Sequence, residues 1–179
     1  LLTDETRNAN STKTNSYSDV AAGAWYNHAV STLSAMGIVK GDSHGKFNPN
    51  APITRAEFAA IAARFDDKAN TTAVDFSDIA SHWAKNEISA AANNGWINGY
   101  TDGTFRPNQP ITRGEMAKII ANFANLNKGT KSFTDLSGHW SKTYVELAAG
   151  NGWIAGYPDG SFRPDQKITR AETVTMINR

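Results

Sequence analysis

Ile53-Thr54-Arg55-Ala56-Glu57 returns as Ile111-Thr112-Arg113-Gly114-Glu115 and again as Ile168-Thr169-Arg170-Ala171-Glu172. Each copy has the chemistry of a helix start. Thr54, Thr112 and Thr169 stand where an N-cap hydroxyl accepts from a free first-turn N–H. Glu57, Glu115 and Glu172 stand where a capping-box carboxylate reaches back. The preceding isoleucine can staple onto Phe58 or Met116 at the fourth helical position, more weakly onto Thr173. Arginine is the residue the cap does not need. A cation in the first turn is opposed by the free N–H groups and the helix dipole, so Arg55, Arg113 and Arg170 suggest an anionic ligand.

Working outward, the whole chain keeps this phase. Arg55 to Arg113 is 58 residues and Arg113 to Arg170 is 57. Trp25, Trp83 and Trp140 keep the same steps, as do Gly45, Gly103 and Gly160; Asp19, Asp78 and Asp135 align with one extra residue before Trp25. Landmarks locked in phase over three copies mean three structural repeats. Each opens on an aromatic-polar-Asp triplet (Tyr17-Ser18-Asp19, Phe76-Ser77-Asp78, Phe133-Thr134-Asp135) and runs through a tryptophan into a helix stopped near Gly37, Gly95 or Gly152. A short aromatic segment with a tight turn follows, of which Asp102-Gly103 is the clearest signal. A proline-bracketed loop then leads to the second, capped helix, Arg113 to Phe123 in repeat two. The reading divides the chain into a polar tail (1–16), repeat one (17–65), a linker (66–75), repeat two (76–123), a linker (124–132) and repeat three (133–179). The tail, rich in Thr, Asn and Ser, reads as solvated.

The fold class expected is mainly α: three helix–loop–helix repeats with short tight-turn segments. A unit of about fifty residues buries too little apolar surface alone. Closure as a pseudo-threefold trimer around a central helical bundle would give the second helices company and leave grooves between repeats.

Composition narrows function. Charged residues are 20% and hydrophobic residues 40% of 179, ordinary for a folded soluble chain. A net charge of +1 supplies no basic field for nucleic acid or membrane, so anion recognition has to be local. There is no cysteine, hence no disulfide framework or thiolate metal site, and no apolar run approaches a membrane span. No signal peptide opens the chain, which reads as a mature or excised piece of something longer. The histidines His28, His82 and His139 share no common position, and a triplicated pattern offers no unique pair of carboxylates, which argues against catalysis. The Asp-Gly turns lack the alternating acidic loop of an EF-hand, and His44 reads as a loop residue; neither a metal nor a cofactor is expected.

Phe-Ser-Asp, Trp, Gly-Trp-Ile-x-Gly-Tyr-x-Asp-Gly-x-Phe-Arg-Pro and Ile-Thr-Arg-Ala-Glu at these spacings resemble the S-layer homology domain, in a tandem of three from Tyr17 to Arg179. The resemblance implies a compact pseudo-trimer that anchors a bacterial surface protein non-covalently to an anionic secondary cell-wall polysaccharide, often ending in pyruvylated N-acetylmannosamine. It implies no nucleic-acid partner and no membrane insertion, and lattice partners only through regions outside this chain. Under that reading Arg55, Arg113 and Arg170 pair with the pyruvyl carboxylate, helped by neighbouring helix N–H groups. Asp102 and Asp159 accept from sugar hydroxyls or only shape turns. Gly45, Gly103 and Gly160 let backbone approach the sugar. Trp25, Trp83 and Trp140 offer a stacking face, although their place at a helix start favours core packing. The first repeat departs from the pattern, with Ile38, Asp42 and His44 where the others have Trp, Tyr and Asp, so its aspartate contact is missing or replaced. Gly114 replaces the alanine of the other repeats on the expected groove floor. The alternative is a structural protein–protein assembly module, in which exposed apolar residues rather than arginines carry binding.

Overall fold

The computed structural model describes residues 2–66 and 68–178. Leu1, Asp67 and Arg179, which belong to the tail, the first linker and the third repeat, lie outside the described residues. The chain is mainly α, with seven helices and no named strand among the described residues: α1 (Asp4–Ala9), α2 (Asn27–Ala35), α3 (Arg55–Phe65), α4 (Lys85–Asn93), α5 (Arg113–Phe123), α6 (Lys142–Gly150) and α7 (Arg170–Ile177). Two compact units divide it. One comprises Leu1–Ile53 with Thr169–Arg179, where α2 packs on α7; the other is Thr54–Ile168, where α3 packs on α4 and α5 on α6.

The capped starts form with one difference. Thr54, Thr112 and Thr169 are extended N-caps whose Oγ1 accepts from the N–H of Glu57, Glu115 and Glu172. The glutamates reach back to the cap hydroxyl itself, with Thr54 Oγ1 donating to Glu57 Oε1 at 3.1 Å. Ile53, Ile111 and Ile168 are buried beside them.

The loop between the helices of each repeat is held by the opening aspartate, a role that the sequence reading left unassigned. Asp78 accepts from Phe105 N and Arg106 N at 2.9 and 2.8 Å, and Asp135 from Phe162 N and Arg163 N at 2.9 and 2.7 Å. Asp19 does the same for Phe47 N and Asn48 N, both at 2.8 Å. One carboxylate thereby fixes a buried phenylalanine and the next residue, which sits at φ 57° in all three repeats. Non-glycine residues rarely adopt that conformation, and two charge-assisted bonds offset its strain. The opening aromatic packs at a tilt against the same phenylalanine (Phe76 to Phe105, ring centroids 5.4 Å apart). It also lies so close to Gly99 that a Cβ there would overlap the ring, as at Gly41 and Gly156.

The tail is not solvated throughout. Residues 3–9 carry α1 with its Thr3 cap, and residues 11–15 lie along α2. Thr12 and Thr32 exchange hydrogen bonds at 3.2 Å, Asn15 Nδ2 donates to Asn27 Oδ1 and Ser31 Oγ, and Asn27 Nδ2 donates to Lys13 O. The buried polar groups of α2 require these partners. Both linkers dock similarly, through Asn93 Nδ2 to Asn70 O and Thr72 O, and through Asn151 Nδ2 to Lys128 O.

Candidate functional site

The three arginines are placed identically, each reaching from the start of a second helix into the turn segment of another repeat. Arg55 Nε donates to Phe105 O at 2.8 Å and its Nη2 to Asn98 O at 2.7 Å. Arg113 does the same to Phe162 O and Ala155 O, both at 2.8 Å, and Arg170 to Phe47 O and Lys40 O, both at 2.9 Å. Each guanidinium lies over the ring of that phenylalanine, at 4.7, 4.4 and 4.6 Å. Arg55 Nη1 stands 3.7 Å from Glu115 Oε2. Burial pushes the Arg55 guanidinium below its ordinary pKa, against Tyr100 and Glu115, which raise it. The planar fork of arginine suits this two-carbonyl clamp. Repeat one thereby clamps repeat two, repeat two clamps repeat three, and the arginine of repeat three reaches repeat one.

The helix N–H groups beside the arginines do not face a ligand, contrary to the sequence reading. Arg55 N and Ala56 N donate to Gln109 O and Pro107 O, both at 2.9 Å; Glu57 N goes to the cap hydroxyl and Phe58 N to Thr54 O. The three first-turn donors after the cap are thus occupied within the protein, and Phe58 N closes the first intrahelical bond. The same holds at Arg113, with Gln166 O and Pro164 O, and at Arg170, with Ala51 O and Pro49 O.

The tryptophans depart from expectation in the opposite direction. Trp25, Trp83 and Trp140 are the exposed large hydrophobics, at 64%, 60% and 54%. Core packing fails because helices α4 and α6 begin two residues after Trp83 and Trp140, so each ring belongs to a turn rather than to the buried helical face. Imidazoles hold two of these turns. His82 Nδ1 accepts from Ala84 N at 3.1 Å while its Nε2 meets Asn108 Oδ1 at 3.0 Å; His139 Nδ1 accepts from Ser141 N at 3.1 Å, with Nε2 at Asp165 Oδ1. The adjoining Trp83 and Trp140 rings lie against the imidazoles at 5.5 and 5.6 Å.

The Asp-Gly elements are turns. Asp102 Oδ1 accepts from Thr104 N and Oγ1, and its Oδ2 from Arg106, which stacks on Tyr100 at 3.7 Å. Asp159 repeats this with Ser161 and Arg163, and those donors, the Ser161 hydroxyl foremost, hold its carboxyl down at about 2. In repeat one Asp42 replaces the missing contact from two residues earlier, accepting from Lys46 N and Asn48 Nδ2. Gly45, Gly103 and Gly160 adopt φ of 72°, 83° and 83°, and their carbonyls receive the N–H of Ser18, Ser77 and Thr134. Gly114 belongs to the packing between repeats, since a Cβ there would meet Ser141 Oγ at 2.9 Å and Pro164 O at 3.1 Å.

A family model described as the S-layer homology domain matches residues 16–59, 75–117 and 132–174. The chain belongs to the S-layer homology domain family. It is 38% identical over 159 residues to the cell surface glycoprotein 1 of Acetivibrio thermocellus, an alignment covering 79% of this chain and 7% of that protein. It is 38% identical over 154 residues to the cellulosome-anchoring protein of the same organism, covering 79% and 34%. To the surface-layer 125 kDa protein of Lysinibacillus sphaericus it is 35% identical over 159 residues, covering 84% and 14%. The chain thus spans between 7% and 34% of the length of these relatives. Family and relatives place it at the bacterial cell surface. No helix among the described residues is long and apolar enough to cross a membrane.

Proposed function

We propose that the chain is a non-catalytic anchoring module that holds a surface or S-layer protein on the cell wall. Its ligand on this reading is an anionic secondary cell-wall polysaccharide with a pyruvylated N-acetylmannosamine terminus, bound at the junctions between repeats. The observation that carries the reading is the exposure of Trp25, Trp83 and Trp140, each on a turn of the repeat that receives an arginine clamp. A soluble chain gains nothing in stability from three exposed indoles, whereas a sugar's apolar face stacks well on them. The similarity to a cellulosome-anchoring protein and a surface-layer protein supports anchoring as the outcome. The arginines, with Asp102, Asp159 and the turn glycines, build the junction. Engagement of several junctions by one polymer-coated surface would raise avidity by about a hundredfold or more.

The test is calorimetric titration with a pyruvylated N-acetylmannosamine glycoside and its unpyruvylated counterpart, on the wild type and on W25A/W83A/W140A, R113A and R170A, each checked for helical content. Binding that requires the carboxylate and the indoles is the expected result. Equal binding of both sugars, or full affinity in the triple tryptophan variant, would overturn it.

A further inference from the structure

The junctions share a frame but differ in chemistry one helical turn beyond the clamp. On α5, Gly114 packs against Ser141 at the start of α6; one turn along both helices, Lys118 Nζ lies 5.8 Å from the Tyr144 ring centroid. Tyr144 in turn lies 6.5 Å from the exposed Trp140 ring. Lys118 and Tyr144 are half-buried, and Lys118 makes no ion pair among the described residues. By repeat spacing, the positions of Lys118 and Tyr144 are occupied by Ala60 and Glu87 where α3 packs on α4, and by Thr175 and Ala29 where α7 packs on α2. Glu87 interacts electrostatically with Arg64. Thr175 directs its hydroxyl to Ala171 O.

We infer that the junction between repeats two and three is the dominant site for the acidic end of the glycan, with Lys118 pairing with the carboxylate and Trp140 and Tyr144 stacking the sugar. The inference rests on the glycan-binding reading above and adds which junction carries it. The physical argument is one of charge. Arg113, the clamp arginine of this junction, is buried and commits Nε and Nη2 to backbone carbonyls, whereas Lys118 is half-buried, makes no ion pair among the described residues and carries an ammonium with three donors. At the junction between repeats one and two the corresponding positions hold Ala60 and Glu87, the latter interacting with Arg64, so neither the lysine nor the second aromatic ring is present. Two aromatic rings beside one cation match a sugar that presents both an apolar face and a carboxylate.

The experiment titrates the whole chain with the pyruvylated and unpyruvylated glycosides, comparing wild type, K118A, Y144A, W140A and E87Q. K118A should weaken binding of the acidic sugar about tenfold, the worth of one charge-assisted contact, and leave the neutral sugar unchanged. W140A and Y144A should weaken both sugars, while E87Q stays within about twofold of wild type. If the wild type distinguishes the two sugars but K118A binds the acidic one normally, or E87Q changes affinity as much as K118A does, this assignment fails while the glycan reading stands. If the wild type does not distinguish them, both fail. Unchanged circular dichroism of K118A separates lost binding from lost fold.

Discussion

Gly114 against Ser141 provides a sharp test of how the repeats are joined. Alanine at Gly114 would gain up to about 1 kcal/mol of helix propensity. Its Cβ would also stand 2.9 Å from Ser141 Oγ and 3.1 Å from both Ser141 Cβ and Pro164 O. Overpacking of this kind costs about 1–3 kcal/mol, so G114A should destabilise by about 1–2 kcal/mol net. S141A alone removes the 2.8 Å contact with His139 Nδ1 and should cost about 1 kcal/mol. The double variant recreates the junction between repeats one and two, where Ala56 and Ala84 are both fully packed and Ala56 N still reaches Pro107 O at 2.9 Å. Its loss should therefore be smaller than the sum of the single losses by about 1–2 kcal/mol. Urea denaturation of the four proteins, followed by circular dichroism, measures the coupling. Additivity to within about 0.5 kcal/mol would show that the glycine is not an accommodation to the serine.

Other consequences of the junction geometry can be measured in the same way. R55K keeps the charge but cannot serve both Phe105 O and Asn98 O, leaving a buried carbonyl unsatisfied; urea denaturation should show a loss of about 2–3 kcal/mol. G156A would drive a Cβ into the Phe133 ring and Ser161 O, and should lower stability by about 2–3 kcal/mol, more than G152A at an open turn glycine with φ 77°. Asp42 and Asp159 are held at about 2, below the unfolded value, so their hydrogen bonds stabilise above the ordinary carboxylate range and are lost as pH falls toward 2. The stability gap between wild type and D42A/D159A should be full at pH 6 and close on acidification from about pH 4; a gap that stays constant to pH 2 would refute this role. D78A, which releases Phe105 N and Arg106 N, should destabilise by about 2–4 kcal/mol in thermal or urea melts.

Periodicity and capping chemistry made the repeats legible in the sequence, because both are local. Thr-x-x-Glu specifies its own cap, and the reading of a second helix from Arg113 to Phe123 coincides with α5. What was not legible depends on partners about fifty residues away. Nothing near Arg55 in the chain shows that its guanidinium will reach Phe105 O, nor that Ala56 N will find Pro107 O. A first-turn arginine is opposed by the helix dipole, and here backbone carbonyls of another repeat receive its guanidinium. The tryptophans misled because an indole next to a helix start ordinarily packs inward. A signal was available in the Asp-Phe spacing: Asp78 with Phe105, and its counterparts in the other repeats, keep separations of 27 or 28 residues, a covariation of position that points to direct contact.

On the proposed reading, scaffold and recognition fall on different residues of the same junction. The arginine, the capping threonine and the opening aspartate recur unchanged because each satisfies backbone groups, so that loss of any of them leaves those groups without that partner, while the turn glycine recurs because its φ of 72–83° disfavours other residues. Residues one turn further along the packed helices carry no such duty, which is why Lys118 and Tyr144 can stand where Ala60 and Glu87 stand in the preceding junction. A triplicated chain can then diversify its binding faces without disturbing its clamps. Variants should separate accordingly: substitutions at Arg55 or Asp78 move the unfolding midpoint, while substitutions at Lys118 or Trp140 move affinity at constant midpoint. A Lys118 variant that lost stability as R55K does would place that residue in the scaffold.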